Sequence, residues 1–357
     1  MTMRRSPAWF WLAIASGGAC QFFDPLSQGG LGIRLAPRDT AVYVGAQFSA
    51  RGVMTNSYGD VYSSDHIRYA GLDPAISVTP LGTVTGTMYG RARVIAVRGP
   101  LADTALVSVV PVGTLGVSDG SSVDIVSVDG SGRTTVAAIG GFGVRAPTWL
   151  PGNAGLVYQD PGSGALYLTN LAGDTTTFIV YGQDPRASRY GIWVYFASQD
   201  ATWRIHPDGT GLEIISNGWD YSPDPSPGDT QLAFIRTGFP PTEAQLVVRD
   251  LASGAERPLG VEGWRPRWAP DGARIAYWSG DLGTGAGAIF VIGADGTGAH
   301  QVSAPGRIYE TSGLDWSQDG RWLVTREDST LDVIDVATGL TLPLAHARDF
   351  NSASWRW

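Results

Sequence analysis

The side chains that most often carry catalysis are sparse in this chain of 357 residues. All 25 basic residues are arginine, so lysine Schiff-base and lysine general-base chemistry is excluded. No G-x-S-x-G sequence is present that would place a serine on a nucleophile elbow. The four histidines, His66, His206, His300 and His346, lack metal-ligand spacing. We therefore expect no cofactor, no metal and no catalytic residue, while carboxylates that pair only in space stay an open possibility.

Aromatic and arginine side chains lie instead in the connections between apolar segments of the C-terminal two thirds. The predicted binding residues are Phe142, Arg145, Trp219, Tyr221, Trp264, Arg265, Arg267, Arg307, Tyr309 and Arg348, with Phe350 beside them. Aromatic residues and arginine are enriched at the energetically dominant positions of protein interfaces. The alternative is that the rings plug a central channel and the arginines pair with acids such as Asp220, Glu262 or Asp349.

Six glycine-centred polar turns, each between two apolar runs, determine where these residues lie. The turns centre on Gly130, Gly173, Gly209, Gly254, Gly296 and Gly339. Their spacing of about 42 residues is typical of a β-propeller in which each repeat is one blade. We therefore predict an all-β chain with a six-bladed propeller over residues 113–357. The C-terminal strand, residues 352–357, is expected to close the ring against residues 123–128 and so remove the open sheet edges.

A second recurring sequence precedes these turns, as in PTWLPGNAGLVY, PRWAPDGARIAYW and LDWSQDGRWLV. Its tryptophans are predicted to pack between blades: Trp149, Trp268, Trp316 and Trp355. The acidic residues of the turns are predicted to be turn formers: Asp129, Asp208, Asp271, Asp295 and Asp319. The segments PRWAPDGARIAYW and LDWSQDGRWLV resemble the TolB-like propeller repeat, W-S-P-D-G-x-x-I-A-F. That resemblance implies a non-catalytic, partner-binding role in the periplasm.

Residues 33–112 form a separate region of short alternating strands divided by polar turns. Within it, DPAISVTPLGTVTGTMYGRARVIAV resembles the group-2 bacterial Ig-like repeat, which has a G-x-V-T-G segment and a G-x-A turn. The resemblance implies an Ig-like β-sandwich that acts as a spacer or adhesive module. TolB carries an α/β domain at this place, so this chain departs from TolB there.

Residues 1–19 have the composition of a secretory signal, with Arg4 and Arg5 before an apolar stretch and a run of small residues. The single cysteine, Cys20, follows directly, where the resemblance to bacterial lipoprotein signals places the lipidated residue. Gly17 stands where leucine is usual, and ordinary signal cleavage is the alternative. We predict a tether over residues 20–32. The protein would be exported and held at the outer membrane through this lipid alone, facing either the periplasm or the outside.

The formal net charge of −8 argues against nucleic-acid binding, which needs a basic face. The sequence thus favours a non-catalytic binding protein whose partner is an envelope protein or a surface glycan. One alternative is a carbohydrate-binding or carbohydrate-cleaving propeller. Two carboxylates about 5–10 Å apart in the channel would indicate cleavage. A second alternative is a structural subunit of an envelope assembly.

Overall fold

The chain is almost entirely β-structure. The computed structural model describes residues 31–56, 58, 60–62, 66–138, 147–160, 162–238, 244–281, 283–284, 286–309, 313–328, 330–344 and 350–356. One 3-10 turn, Pro151–Asn153, interrupts the strands in these ranges. Among the same residues, no helix has the length and apolar character that crossing a membrane requires.

Ten strands form the N-terminal region. They are β1 Gly32–Ala36, β2 Thr40–Tyr43, β3 Gln47–Ser49, β4 Arg51–Thr55, β5 Val61–Tyr62, β6 Arg68–Gly71, β7 Ile76–Val78, β8 Thr83–Gly86, β9 Gly90–Arg98 and β10 Leu101–Val110. The sheet orders are β1-β4-β5, β2-β10-β9-β6 and β3-β8-β7, with β2 parallel to β10. Strand β1 starts at Gly32, one residue inside the predicted tether.

Alternating side chains build a separate core in this region. In β9, Ala92, Val94 and Ala96 are buried while Arg91 and Arg93 are exposed, as the two-residue period of a strand requires. These residues belong to one cluster of buried apolar side chains drawn from residues 33–109. The N-terminal region therefore has its own hydrophobic core, as an independent domain needs.

The remaining strands begin with β11 Thr114–Ser118, β12 Ser122–Ser127, β13 Thr134–Ala138, β14 Thr148–Leu150, β15 Gly155–Asp160, β16 Ala165–Thr169, β17 Thr176–Tyr181, β18 Gln183–Ala187, β19 Val194–Ser198, β20 Ala201–Ile205, β21 Glu213–Ser216 and β22 Asp220–Pro225. They continue with β23 Gln231–Arg236, β24 Gln245–Asp250, β25 Glu256–Glu262, β26 Trp264–Trp268, β27 Arg274–Asp281, β28 Ala286–Gly293, β29 His300–Gln301, β30 Asp315–Trp316, β31 Trp322–Glu327, β32 Thr330–Asp335, β33 Thr341–Pro343 and β34 Ser352–Trp355.

Across the described residues, these strands form six antiparallel four-stranded sheets. Five follow chain order, β14 to β17, β18 to β21, β22 to β25, β26 to β29 and β30 to β33, and the sixth has the order β13-β12-β11-β34. We call the first strand of each sheet (β14, β18, β22, β26, β30) and β34 the inner strands. Each inner strand contacts the next one along the chain, and β34 contacts both β30 and β14.

The C-terminal strand pairs one strand away from the expected place. Strand β34 pairs with β11, with Leu115 opposite Trp355, and not with residues 123–128 as predicted. Residues 123–128 pair instead with β11 and β13, so both sides of that segment are already occupied. The prediction was wrong because β11 lies between the two segments. Strand β11 pairs with β12 on one side and with β34 on the other.

The recurring tryptophans and turn acids have the predicted structural roles. Trp149, Trp268, Trp316 and Trp355 are all buried at 3% exposure or less. The indole N–H of Trp149 donates to the carbonyl of Ser354, which lies in another sheet. Each of the five turn acids accepts a hydrogen bond from the backbone N–H two residues later. The turn acids were predictable because their contacts are local, and the tryptophans because they recur at one place in the repeat.

Asp119, in the turn between β11 and β12, couples stability to pH. Its Oδ1 accepts hydrogen bonds from the backbone N–H and hydroxyl groups of Ser121 and Ser122. Burial works against the ionised carboxyl, but these hydrogen bonds outweigh burial and lower the pKa of Asp119 to about 2. Since this pKa lies below the unfolded value of 3.8, the stabilisation is present above that value and is lost as the pH falls towards 2.

We therefore expect Asp119→Asn to lower the free energy of unfolding by about 1 kcal/mol at pH 6. The difference from the wild type should shrink between about pH 4 and pH 2, because the wild-type carboxyl is then protonated. Urea unfolding at several pH values measures this difference. A deficit that is constant down to pH 2 would contradict the assignment.

Candidate functional site

Three neighbouring inner strands share a local distortion that orients the polar side chains. In β18, β22 and β26 the register with the next strand shifts where a left-handed residue precedes a proline. The left-handed residues are Asp184, Ser222 and Arg265, with φ angles of 53°, 52° and 56°. Such bulges re-aim side chains and are over-represented next to functional sites. We call this end of the inner strands, where the chain enters them, the entry end.

Two residues after each left-handed residue lies a charged side chain: Arg186, Asp224 and Arg267. Asp315 occupies the matching place in β30, and we call these four residues the inner-strand cluster. The Arg186 guanidinium donates from Nε to Asp224 Oδ1 and from Nη2 to Asp315 Oδ1, both at 2.8 Å. Because β18 and β30 are three positions apart in the order of inner strands, Arg186 links two strands that are not neighbours.

Both carboxylates of the cluster are fully engaged. Asp224 Oδ2 accepts from the Trp268 N–H at 2.7 Å, and Asp315 Oδ2 accepts from the Trp355 N–H at 3.0 Å. Burial disfavours the charge of Arg186, but Asp315 and Asp224 outweigh that effect and raise its pKa. The cluster is thus a buried ion-pair network whose carboxylates present no unused oxygen.

Arg267, predicted as a binding residue, belongs to this buried cluster. It is 3% exposed, and its guanidinium donates to the backbone carbonyls of Leu314 and Pro266. Burial, together with the nearby charge of Arg186, lowers the pKa of Arg267 to about 9. The bulge at Arg265 therefore leaves Arg267 buried among the inner strands, and not on the surface that a binding residue needs.

Arg265 and Asp184 form a second polar layer, nearer the entry end. Arg265 Nη1 donates to Asp184 Oδ1 at 2.7 Å, and Ser222 Oγ donates to Asp184 Oδ2 at 3.1 Å. The Arg265–Asp184 pair joins β26 to β18, with β22 between them. For Arg265, the alternative that the arginines pair with acids is met by Asp184, an acid that the sequence analysis did not name.

Trp219 is the most open of the predicted aromatic residues that the structure describes. Its side chain is 38% exposed and its φ angle is 62°, a left-handed conformation that non-glycine residues seldom adopt. Its carbonyl accepts a hydrogen bond from the N–H of Thr237, the residue that directly follows β23. Backbone strain of this kind costs about 1–3 kcal/mol and clusters at functional sites.

Tyr221 lies two residues further along the chain, and we call Trp219, Asp220 and Tyr221, at the entry end of β22, the entry-end rim. Its hydroxyl donates to Asp200 Oδ1 at 2.7 Å. Burial and this hydrogen bond raise the pKa of Tyr221 to about 12. The phenol therefore stays neutral under physiological conditions and presents a fixed, half-buried ring beside Trp219.

Asp220, between these two aromatic residues, is fully buried and anchors the rim. It accepts hydrogen bonds from the Ser216 hydroxyl, from the Gly218 N–H at 3.2 Å, and from Arg236 at 2.8 and 2.9 Å. Arg236 is in turn paired with Glu256. From the sequence, Asp220 is predicted only as an alternative acidic partner of the binding arginines. Its role as an anchor of residues 216–220 was not visible from spacing.

The other predicted residues are less accessible. Tyr309 is fully buried, and its carbonyl accepts the Trp278 indole N–H at 2.7 Å. Arg307 pairs with Glu327 and, at 2.9 Å, with Asp332. Trp264 is half-buried and packs against two neighbouring apolar cores. Phe350 is buried, and Arg133 lies over its ring at 4.8 Å. Cys20, Phe142, Arg145 and Arg348 lie outside the described residues.

Comparisons with known proteins bear on the fold. No protein-family model matches the sequence, and no curated protein matches it. The solved structure of TolB from Acinetobacter baumannii is similar, with a TM-score of 0.56 and 14% identity over 91% of this chain and 99% of that one. A structure described as TolB from Agrobacterium tumefaciens has a TM-score of 0.55 and 17% identity over 66% of this chain and 89% of that one. A nidogen–laminin complex chain reaches 0.54 at 11% identity, covering 68% and 98%.

The chain has a TolB-like β-propeller fold. Structural similarity at this level of sequence identity shows the fold alone. The function has to be argued from the residues of the site. Among the described residues, no group of three or more His, Cys, Asp or Glu side chains is placed to hold a metal ion. The candidate site is the entry-end rim, because Trp219 is the most exposed of the predicted aromatic residues that the structure describes, with the buried Asp220 next to it in the chain and the Arg265–Asp184 pair on the flanking inner strands.

Proposed function

We propose that the protein is an exported, non-catalytic binding protein of the bacterial cell envelope. In this proposal a lipid on Cys20 anchors the chain, an Ig-like domain spaces it from the membrane, and a six-bladed propeller recognises an envelope protein at its entry-end rim. The single observation that carries the binding role is Trp219. Its ring is partly exposed, its backbone has a left-handed φ of 62°, and the buried, hydrogen-bonded Asp220 directly follows it.

The strand order supports the two proposed domains. Strands β3 and β4 are separated by one residue and act as a single interrupted strand, which gives the orders β1-β4/β3-β8-β7 and β2-β10-β9-β6. These orders correspond to the ABED and GFC sheets of an Ig-like sandwich, with β2 added beside the last strand. The six sheets and the contacts between successive inner strands, including β34 with β14 and β30, support a six-bladed ring.

The inner-strand cluster favours binding over glycoside cleavage. A glycosidase needs one carboxyl that donates a proton and a second carboxylate that faces the sugar. Asp224 and Asp315 are the facing pair here, but one guanidinium binds both, and backbone N–H groups take their remaining oxygens. These carboxylates are committed to holding the inner strands together.

A pull-down from envelope extract tests the proposed function, with residues 20–357 as the wild-type bait. We expect Trp219→Ala to lose at least about 2 kcal/mol of binding free energy, or about 30-fold in affinity, if Trp219 is a central anchor. Tyr190→Ala is the matched control, because Tyr190 is an exposed aromatic residue (69%) in the turn after β18, at the opposite end of that strand.

A protein retained by the wild type and by Tyr190→Ala but lost by Trp219→Ala supports the proposal. Retention of glycan without protein would replace it with the carbohydrate-binding alternative. Equal retention by all three baits would place the recognition surface elsewhere on the molecule.

A further inference from the structure

Strand β34 is a short strand that is paired on one side only. It has four residues, Ser352–Trp355, and within its sheet it pairs with β11 alone. We call the sheet β13-β12-β11-β34 the closing sheet, because in it the strands that directly follow the N-terminal region pair with the last strand. Few backbone hydrogen bonds have to break when such a strand detaches, so further contacts decide how firmly it is held.

The core against which β34 packs is shared with the N-terminal region. Trp355 of β34 and Trp322 of the neighbouring β30–β33 sheet belong to one cluster of buried apolar side chains. That cluster draws its members from both sheets, so it fills the space between them. Three half-buried side chains of the N-terminal region pack against the same cluster: Ala41, Tyr43 and Tyr89. The N-terminal region therefore completes this core in addition to building its own.

Tyr89, directly before β9, makes the contact with the β30–β33 sheet. Its ring meets the ring of Trp322 edge to face, with the centroids 4.9 Å apart. The Arg321 guanidinium lies over both rings, 4.9 Å from the centroid of Tyr89 and 5.2 Å from that of Trp322. Asp335, which is buried, accepts a hydrogen bond from Arg321 Nε at 2.8 Å and so fixes the guanidinium. Such contacts stabilise beyond the apolar area that they bury.

The connection from β10 to β11, Pro111–Gly113, makes the contact with the closing sheet. Its proline is buried, and the carbonyl of Gly113 accepts a hydrogen bond from the Val128 N–H at 3.0 Å. Gly113 also lies directly against the Trp355 ring, so that an added Cβ would overlap the ring. The connection is thus packed onto β34 and hydrogen-bonded to the closing sheet, which distinguishes it from a flexible linker.

The N-terminal region therefore bridges two sheets that β34 also joins. Strand β34 contacts β30, and the Trp355 N–H donates to Asp315 Oδ2 of β30 at 3.0 Å. Detachment of β34 would break this hydrogen bond and leave a carboxylate of the inner-strand cluster without one of its donors. If the two sheets moved apart as β34 detached, the contacts of Tyr89 and of the connection to Gly113 would have to break as well. Those contacts thus oppose the detachment.

We propose that the N-terminal region is a clasp for the last strand. By contacting the closing sheet and the β30–β33 sheet together, it holds β34 in place and so keeps the inner-strand cluster intact. Regions of one chain move relative to each other by default unless an apolar interface joins them, and the shared core is such an interface. The role goes beyond that of a spacer. It depends neither on a lipid at Cys20 nor on a partner at the entry-end rim.

Hydrogen exchange of residues 20–357 tests the clasp. Tyr89→Ala should speed exchange of the β34 amides about tenfold, read at the Arg356 N–H, which donates to the Thr114 carbonyl at 2.9 Å. The amides of β23 and β24, in a sheet that the N-terminal region does not contact through Tyr89, should keep their wild-type rates. Tyr89→Phe retains the ring and should exchange like the wild type. Tyr58→Ala is the matched control, because Tyr58 is an exposed tyrosine (72%) of the same region.

Exchange of the wild type in rising urea, below the main unfolding transition, is a second measurement that needs no variant to fold. The β34 amides should lose protection at or below the urea concentration at which the Val94 amide, in the core of the N-terminal region, does. The proposal is overturned if β34 stays protected after Val94 has lost protection, or if Tyr89→Ala leaves β34 exchange unchanged. It is also overturned if Tyr89→Ala speeds exchange in β23 and β24 as much as in β34, since the effect would then be global.

Discussion

Replacing Arg186 by methionine should lower the free energy of unfolding by about 3–5 kcal/mol, the cost of leaving buried charges without their partner. Arg186 is 5% exposed and binds Asp224 and Asp315, which are 5% and 2% exposed. Methionine fills much of the side-chain volume but supplies no donor. The two carboxylates would then face each other, with Arg267, 3.9 Å from Asp224, and the nearby charge of Arg189 to offset part of their repulsion.

Urea unfolding of the wild type and Arg186→Met measures this effect. Glu213→Gln is the control, because Glu213 pairs with Arg204 on the surface of the same propeller, and exposed pairs contribute about 0–1 kcal/mol. Adding Asp224→Asn and Asp315→Asn to Arg186→Met should recover part of the loss, because the buried repulsion is removed. If Arg186→Met were as stable as Glu213→Gln, the inner-strand cluster would not hold the inner strands together.

Replacing Asp220 by alanine should weaken both folding and recognition at the entry-end rim. The carboxylate accepts hydrogen bonds from Ser216, Gly218 and Arg236, and hydrogen bonds that involve a charged group are worth about 1.5–3 kcal/mol each. Arg236 is 31% exposed, so water can solvate part of its freed charge. We therefore expect a loss of about 3 kcal/mol in the free energy of unfolding, below the sum of these bonds.

Binding should fall as well, although Asp220 itself is buried. Without the hydrogen bonds that Asp220 accepts, the segment that contains Trp219 should relax from its strained left-handed φ of 62°. Asp220→Ala should thus reduce capture in the pull-down and speed hydrogen exchange of the Gly218 amide. Asp295→Ala, in an exposed turn of another sheet, is the control and should change neither. Unchanged exchange and capture in Asp220→Ala would show that Asp220 does not position Trp219.

The repeating elements of the fold could be predicted from the sequence. Asp-Gly turns and the spacing of the hairpins reflect contacts between residues close in the chain, and the tryptophans recur at one place in each repeat. The structure has these features where they were expected. The exposed aromatic rim at Trp219 and Tyr221 was readable too, because connections at a strand entry lie on the surface. The role of these residues in binding stays a prediction.

The sequence did not predict the inner-strand cluster, although its four residues occupy the same place in successive repeats. Arg186 and Asp315 are 129 positions apart, and Arg265 and Asp184 are 81 apart. Which charges meet across the inner strands depends on how the sheets are arranged, and spacing within one repeat carries no such information. The shared Pro before Arg186, Asp224 and Arg267 was the available signal, since it marks the bulge that turns these charges inward.

The sequence by itself determined the all-β class, the hairpin repeat, the turn chemistry and the packing of the tryptophans. Those features follow from backbone conformational preferences and hydrophobic periodicity within some tens of residues. Only the tertiary structure decided that Arg267 is buried while Trp219 is exposed, and that the last strand pairs with β11. Each of these depends on a bulge or on the pairing of distant strands, where a shift of one residue reverses the face on which every side chain lies.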